Sequence, residues 1–188
     1  MIINEDVKSS DGRKARGERR RAQIIEAALA VVNRDGAAGV THRTVAKEAG
    51  IPTSLSTYYF DTLDDLLVAA LTSVAEEYTA RIRQIIDSDD EKLPRLAQLI
   101  SETAGPGRER ALAERELCTL AARREALRPV ARGWREDVAE LGRTLTDSEN
   151  AVKALVAAAD GLCAAILIGD VPPETDQIYA VLKHTIAA

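Results

Sequence analysis

A chain of 188 residues with 46% hydrophobic and 29% charged residues holds enough apolar material for one sizeable core or two small coupled ones. Aromatics at only 3%, against abundant Ala and Leu, favour helices over strands; with His42 and His184 the only histidines, no Gly-rich phosphate loop and no metal-spaced His/Cys/Asp set, neither an enzyme nor a metal or cofactor protein is expected. The net charge of −5 is unevenly spread: residues 1–47 carry ten Lys/Arg and six acids, a net +4, leaving −9 for the remainder, so a polyanionic partner is drawn to the first part and repelled by the second.

In chain order, residues 1–15 are polar and read as a disordered arm with nothing to bury. Charge stands where a signal peptide needs an apolar core, and no apolar run approaches the ~20 residues that span a bilayer, so a cytoplasmic protein with no membrane partner is expected. Arg13, Lys14, Arg16, Arg19, Arg20 and Arg21 follow almost without a break. Cations in a helix's first turn oppose its dipole, and a phosphate backbone nearby reverses that sign. The first helix spans about Gly17 to Arg34, with Ile24, Ala27, Ala28, Val31 and Val32 as its buried stripe, and Gly36 ends it.

Two short helices come next. Thr41 caps the first, about His42 to Ala49, whose apolar stripe is Val45, Ala46 and Ala49. Gly50 supplies a turn at positive φ, Ile51 plugs it, and Thr53 to Phe60 forms the second. Two helices joined by a tight Gly-containing turn make a helix-turn-helix, whose second helix fits a DNA major groove. Thr62 with Asp65 opens a long helix whose apolar period runs to Asp87, about 25 residues or roughly 37 Å, long enough to belong to two domains.

Pro94 falls in the first turn of a fifth helix, and Gly105-Pro106-Gly107 breaks the chain. A sixth helix covers about Arg108 to Leu127, Pro129 opens a seventh, Ser148 caps an eighth, and Pro172-Pro173 precedes a ninth. Cys118 and Cys163 lack metal or redox spacing and read as small core residues. The eighth helix leaves almost no polar face between Ala151 and Gly169, so it needs cover on more than one side. The fold expected is all-α: a three-helix helix-turn-helix domain at residues 16–62, then a helical bundle at 63–188, about nine helices in all.

Ile24-Ile25-Glu26-Ala27-Ala28, the Gly36–Thr41 link, Ala46 to Ile51, and Tyr58-Tyr59-Phe60 leading into Asp61-Thr62-Leu63-Asp64-Asp65-Leu66-Leu67 together resemble the TetR family of transcriptional regulators, over residues 19–67. The resemblance implies a homodimer that binds a near-palindromic double-stranded DNA operator. It implies release by a small-molecule effector of unknown identity bound in the body. The two reading heads would sit about 34–36 Å apart. On the family's pattern Arg43 and His42 meet phosphates, and Thr53, Ser54 and Leu55 reach base edges, Leu suiting a thymine methyl. Tyr58 and Tyr59 meet the backbone, and Arg16, Arg19 and Arg20 add the arm's charge. Three positions depart from the pattern: Thr57 replaces a phosphate-binding Tyr, Leu63 a Lys, and Pro52 a small polar cap. The resemblance also implies a four-helix dimer interface from the last two helices, with Leu155, Ala159, Leu162, Ile166, Ile178 and Leu182. Tyr78, Cys118 and Trp134 are the large or polarizable residues expected near the effector, and no paired charge within an apolar stripe announces a charged one. The rival reading is a helical protein–protein adaptor that has lost DNA binding, consistent with Thr57 and Leu63.

Overall fold

The structure, a computed structural model, describes residues 5–187, with side chains at 12 and 14–187. Among the described residues there are nine α-helices and no strand: α1 Glu5–Asp35, α2 His42–Glu48, α3 Thr53–Tyr59, α4 Leu63–Asp87, α5 Lys92–Ser101, α6 Arg108–Leu120, α7 Arg128–Arg143, α8 Glu149–Ile168 and α9 Thr175–Ala187. The chain divides into two compact units, Met1–Ala70 and Leu71–Ala188. The division lies two turns inside α4 rather than at the loop before it, because Leu66, Leu67 and Ala70 at the start of α4 are themselves buried.

In the first unit α1 packs on α2, and α2 on α3. Ile24, Ala28, Val31, Val45 and Phe60 are among its buried side chains. The sequence placed a disordered arm at 1–15; residues 1–4 lie outside the described residues, but the backbone from Glu5 onward is helical. No proline interrupts 5–35, and once the packed half of α1 has nucleated, each added residue gains a hydrogen bond at little cost. Thr41 caps α2 as its sequence position requires: its hydroxyl accepts from the Thr44 backbone N–H, and the Thr44 hydroxyl accepts from the Thr41 N–H. At the other end Ile51 N–H donates to Ala46 O and Gly50 N–H to Lys47 O, the paired bonds of a Schellman turn. That turn needs a left-handed residue, and Gly50 has φ 64°. Thr62 and Asp65 close α4's start by the same reciprocal exchange, Asp65 accepting from the Thr62 N–H and Thr62 Oγ1 from the Asp65 N–H.

In the second unit α8 packs against α7, α9, α5 and α6, and α5 also packs on α9. Ile82, Leu96, Ile100, Val138, Leu141, Leu155, Ile166 and Ile178 form its core. Arg108 donates to the Leu167 carbonyl at 3.0 Å, placing a cation at the negative end of α8. The sixth helix stops earlier than its sequence suggested, at Leu120; a short 3-10 turn at Glu125–Leu127 carries the fully buried Leu127 inward before α7. One further expectation needs correction at α8. Its 20 residues are long and apolar enough, by length and composition, to cross a membrane. Glu149, Lys153 and Asp160 interrupt the run in the sequence, yet Ala, Leu, Ile and Val dominate it. And of the six residues assigned to a subunit interface, Leu155, Ala159, Ile166, Ile178 and Leu182 are buried in the unit's own core, with Leu162 half-buried against it. The large aliphatic stripe is taken by α5, α7 and α9; the exposed face of α8 is Lys153, Ala154, Ala157, Gly161, Ala165 and Ile168.

Candidate nucleic-acid interface and body cavity

The first unit presents one polar, basic face. Thr53, Ser54, Thr57 and Tyr58 on α3 and Arg43 on α2 are exposed, while Leu55 and Tyr59 are half-buried. Arg16, Gly17, Arg19, Arg20 and Gln23 of α1 line an open groove with Tyr58 and Tyr59. The two tyrosine rings meet edge-to-face, centroids 5.2 Å apart. Phe60 is buried, with the Arg21 guanidinium 5.0 Å from its ring centre.

Internal bonds hold this face. His42 Nδ1 and the buried Ser56 Oγ share a hydrogen bond at 3.0 Å, tying α2 to α3. One ring nitrogen of His42 is thus committed to the fold, and only the other is free for a phosphate. Gln23 donates to the Ala49 carbonyl at 2.8 Å and accepts from Arg20 at 2.7 Å, bracing α1 against the end of α2. The three departures are visible in the geometry. The Thr57 hydroxyl donates back to the Ser54 carbonyl at 3.1 Å, so its proton is turned from the outer face. Pro52 gives α3 no side-chain cap, and Leu63 is half-buried.

The second unit encloses a small cavity of about 30 Å³, lined by Tyr78, Ile82, Leu96, Leu99, Ile100, Thr103, Ala111, Glu114, Arg115, Trp134, Asp160, Cys163 and Leu167. That is room for about one water, so a larger guest must displace the walls. Tyr78 and Trp134 line it as the sequence placed them; Cys118 does not, and Cys163 does. Cys118 stands behind the wall, its thiol donating to Glu114 Oε1 at 3.1 Å. Burial pushes both thiols up, Cys163 to about 12, which keeps them protonated and unreactive.

Paired charges stand on the cavity wall where the sequence announced none. Arg115 pairs with Asp160 at 2.9 Å and also donates to the Asp160 carbonyl, and Arg135 reaches the same carboxylate at 2.8 Å. Burial alone would raise the Asp160 carboxyl, but the two guanidiniums outweigh it and hold it below the usual range. Glu114 goes the other way: burial raises it, and the Cys118 thiol, its hydrogen-bond donor, offsets this only in part. Arg115 Nε is buried without an acceptor. The sequence held a signal for both acids. Glu114 lies at helical spacing among Ala111, Leu117, Cys118 and Ala121, and Asp160 among Val152, Val156, Cys163 and Leu167. In the first unit, Ser56 and Gln23 were missed because a small polar residue and an exposed amide carry no pattern.

The comparisons with known proteins match both units. A family model described as bacterial regulatory proteins, tetR family, matches residues 24–70, and one described as tetracyclin repressor-like, C-terminal domain, matches residues 87–188. The HTH-type transcriptional regulator PksA of Bacillus subtilis is 36% identical over 100 residues, 53% of this chain and 48% of that protein. The regulator BetI of Paraburkholderia phymatum is 31% identical over 96 residues, 47% of this chain and 49% of that one. The chain spans about half the length of these two relatives. Among solved structures, a member of the TetR family from Streptomyces coelicolor A3 superposes with a TM-score of 0.80 at 41% identity, covering 88% of this chain and 97% of that one. The multidrug binding protein EbrR complexed with ethidium gives 0.76 at 40% identity, with the same coverages. Matched along both its units, and in sequence as well as in fold, this chain belongs to the tetR family of bacterial regulatory proteins.

Proposed function

We propose that this chain is a homodimeric repressor in the cytoplasm, released from a near-palindromic operator by a small molecule. The observation that carries the reading is the outward face of α3, where Thr53, Ser54 and Tyr58 stand exposed beside Arg43 and the arginines of α1. Hydroxyls there suit base edges, and the cations suit phosphates. Arg16, Arg19, Arg20, Arg43 and Tyr59 position the head on the backbone, and Leu55 offers an apolar contact. The one free nitrogen of His42 adds to the phosphate set. Thr57 contributes shape only, since its proton is used within α3.

The effector enters the cavity walled by Tyr78 and Trp134. EbrR has been seen with ethidium, malachite green and proflavin, which supports an organic small molecule here. Because the cavity is nearly filled in this state, a guest favours a wider body shape, and only that difference in affinity does work. α4 is continuous from Leu63 to Asp87, with residues in both units, and carries the change. The exposed face of α8, from Ala154 to Ile168, with Val181 of α9 provides the dimer contact; Ile168 is 86% and Val181 46% exposed, and the small residues allow close approach.

Selection from random duplexes tests this. A near-palindromic sequence should be enriched, and its affinity should fall linearly in log–log terms with salt, with a slope reduced by about 1 in Arg43→Ala. No enrichment, with no salt-dependent binding of any duplex, would leave the adaptor reading standing instead.

A further inference from the structure

We propose that Gln23 is a positioning residue for DNA binding: its side-chain amide holds the Arg20 guanidinium ready for a phosphate and leaves the charge of that guanidinium unspent. The inference rests on the operator reading above, in which Arg20 meets the DNA backbone.

Three observations carry it. Arg20 Nη1 donates to Gln23 Oε1 at 2.7 Å. Gln23 Nε2 donates to the Ala49 carbonyl at 2.8 Å. And Arg20 and Gln23 line one open groove with Tyr58 and Tyr59 at the end of α3. Arg20 and Gln23 stand three residues apart, on one face of α1. Ala49 is the C-cap of α2, where carbonyls have no partner within the helix. The amide thus joins a cation of α1 to the residue before the Gly50 turn. Arg20 is thereby placed with respect to the helix-turn-helix as well as to its own helix.

The chemistry of residue 23 is what makes this useful. A carboxylate there would hold the guanidinium too, but it would cancel the charge that a phosphate needs. It would also have no proton to give the Ala49 carbonyl. An aliphatic side chain would do neither. An amide carries one acceptor and one donor group and no charge, so it orients Arg20 without neutralising it. A long side chain held in advance loses less freedom when DNA arrives. Neighbouring arginines are used otherwise. Arg21 lies over the Phe60 ring, and Arg34 is committed to Asp35 and Glu48. Gln23 is exposed, and a hydrogen bond made at the surface adds little to the fold.

The test follows binding across a salt series, using the full chain and a duplex enriched from a random pool, with a mixed-sequence duplex beside it. Gln23→Ala should weaken binding about threefold to tenfold with the salt slope unchanged, because the charge of Arg20 remains but is no longer held. Gln23→Glu should weaken it further and lower the slope by about 1, as Arg20→Ala does. In an Arg20→Ala background, Gln23→Ala should cost nothing more, since its effect passes through Arg20. Arg34→Ala removes the other tie between α1 and α2, the pair with Glu48, roughly 21 Å along α1 at 1.5 Å per residue, and should leave binding unchanged. An additive loss in the double variant, or an equal loss in Arg34→Ala, assigns Gln23 to the fold alone and overturns the inference. So does a Gln23→Ala chain that binds like its parent. In each of these cases the operator reading stands. If the unmutated chain binds neither duplex at low salt, the operator reading itself falls and the inference with it.

Discussion

In the head, the bonds that fix geometry run mostly between near neighbours. Thr41 and Thr44 exchange theirs across three residues, and the Schellman turn at Gly50 closes within five, from Ala46 to Ile51. Among the described residues the longest spans are His42 to Ser56 and Arg34 to Glu48, 14 residues each, and Gln23 to Ala49, 26. In the body the corresponding bonds reach far: Thr79 to Asp137 across 58 residues, Arg108 to Leu167 across 59, Arg115 to Asp160 across 45. The head is therefore a rigid local device, set by caps and turns. The body is a set of helices held by side chains that meet only after folding, and such an assembly has alternative packings to move between. That division suits the proposed repressor, whose reading surface must keep its shape while its body changes.

The largest expected effect tests the long-range side. Leu155 is fully buried in the body core, and Leu155→Ala should cost about 2–5 kcal/mol through lost burial and the cavity left behind. Trp134, the one tryptophan of the chain, lies in the body, so its fluorescence follows that unit during denaturation. The Trp134 transition should move to lower denaturant while part of the helical circular dichroism, that of the head, melts where it did before. A single shared shift would show the two units to be one cooperative body.

The next two sharpen the local side. Ser56→Ala removes the partner of a half-buried imidazole nitrogen and should cost about 1–3 kcal/mol in thermal melts. Because His42 orients α2 on α3, operator binding should weaken in step, whereas Leu155→Ala leaves it unchanged in the folded protein. Gly50→Ala places a Cβ at φ 64° and should cost about 1–2 kcal/mol. A substitution there that left stability unchanged would mean the turn relaxes, and the head would be less rigid than its hydrogen bonds indicate.

The same difference in range explains what could be read from the residues alone. Capping at Thr41 and Thr62, the turn at Gly50 and the buried stripe from Ile24 to Val32 were legible because each is decided within a turn or two of helix. Periodicity finds an apolar stripe without saying which neighbour covers it. Leu155 and Ile178 belong to their own unit, and the alanines beside them are what stays exposed. Cys118 and Cys163 lie on different helices, α6 and α8, and only packing decided that Cys163 lines the cavity. The charged wall was within reach. An acid repeating at three and four residues from Ala111, Leu117 and Cys118 breaks a stripe that a purely structural helix would keep apolar, and Glu114 is that acid.

The smallest effect separates two carboxylates of the same cavity. Asp160 is lowered, burial being outweighed by Arg135 and Arg115, so it binds a proton less readily folded than unfolded. Its contribution to stability is present above the ordinary aspartate range and is lost as pH falls through its lowered value. Glu114 is raised, chiefly by burial, and binds a proton more readily folded than unfolded. Its contribution is greatest below the ordinary glutamate range, near 4.3, and is lost as pH rises from there through the raised value. Glu114→Gln should therefore make the empty protein slightly more stable at neutral pH and remove a downward slope on the alkaline side of that window. Asp160→Asn should destabilise at neutral pH and remove an upward slope on the acid side. Thermal melts across the pH range read both slopes. A Glu114→Gln protein that is less stable than its parent at neutral pH would show that Glu114 holds the body together. A more stable one marks it as a residue kept at a cost to the fold.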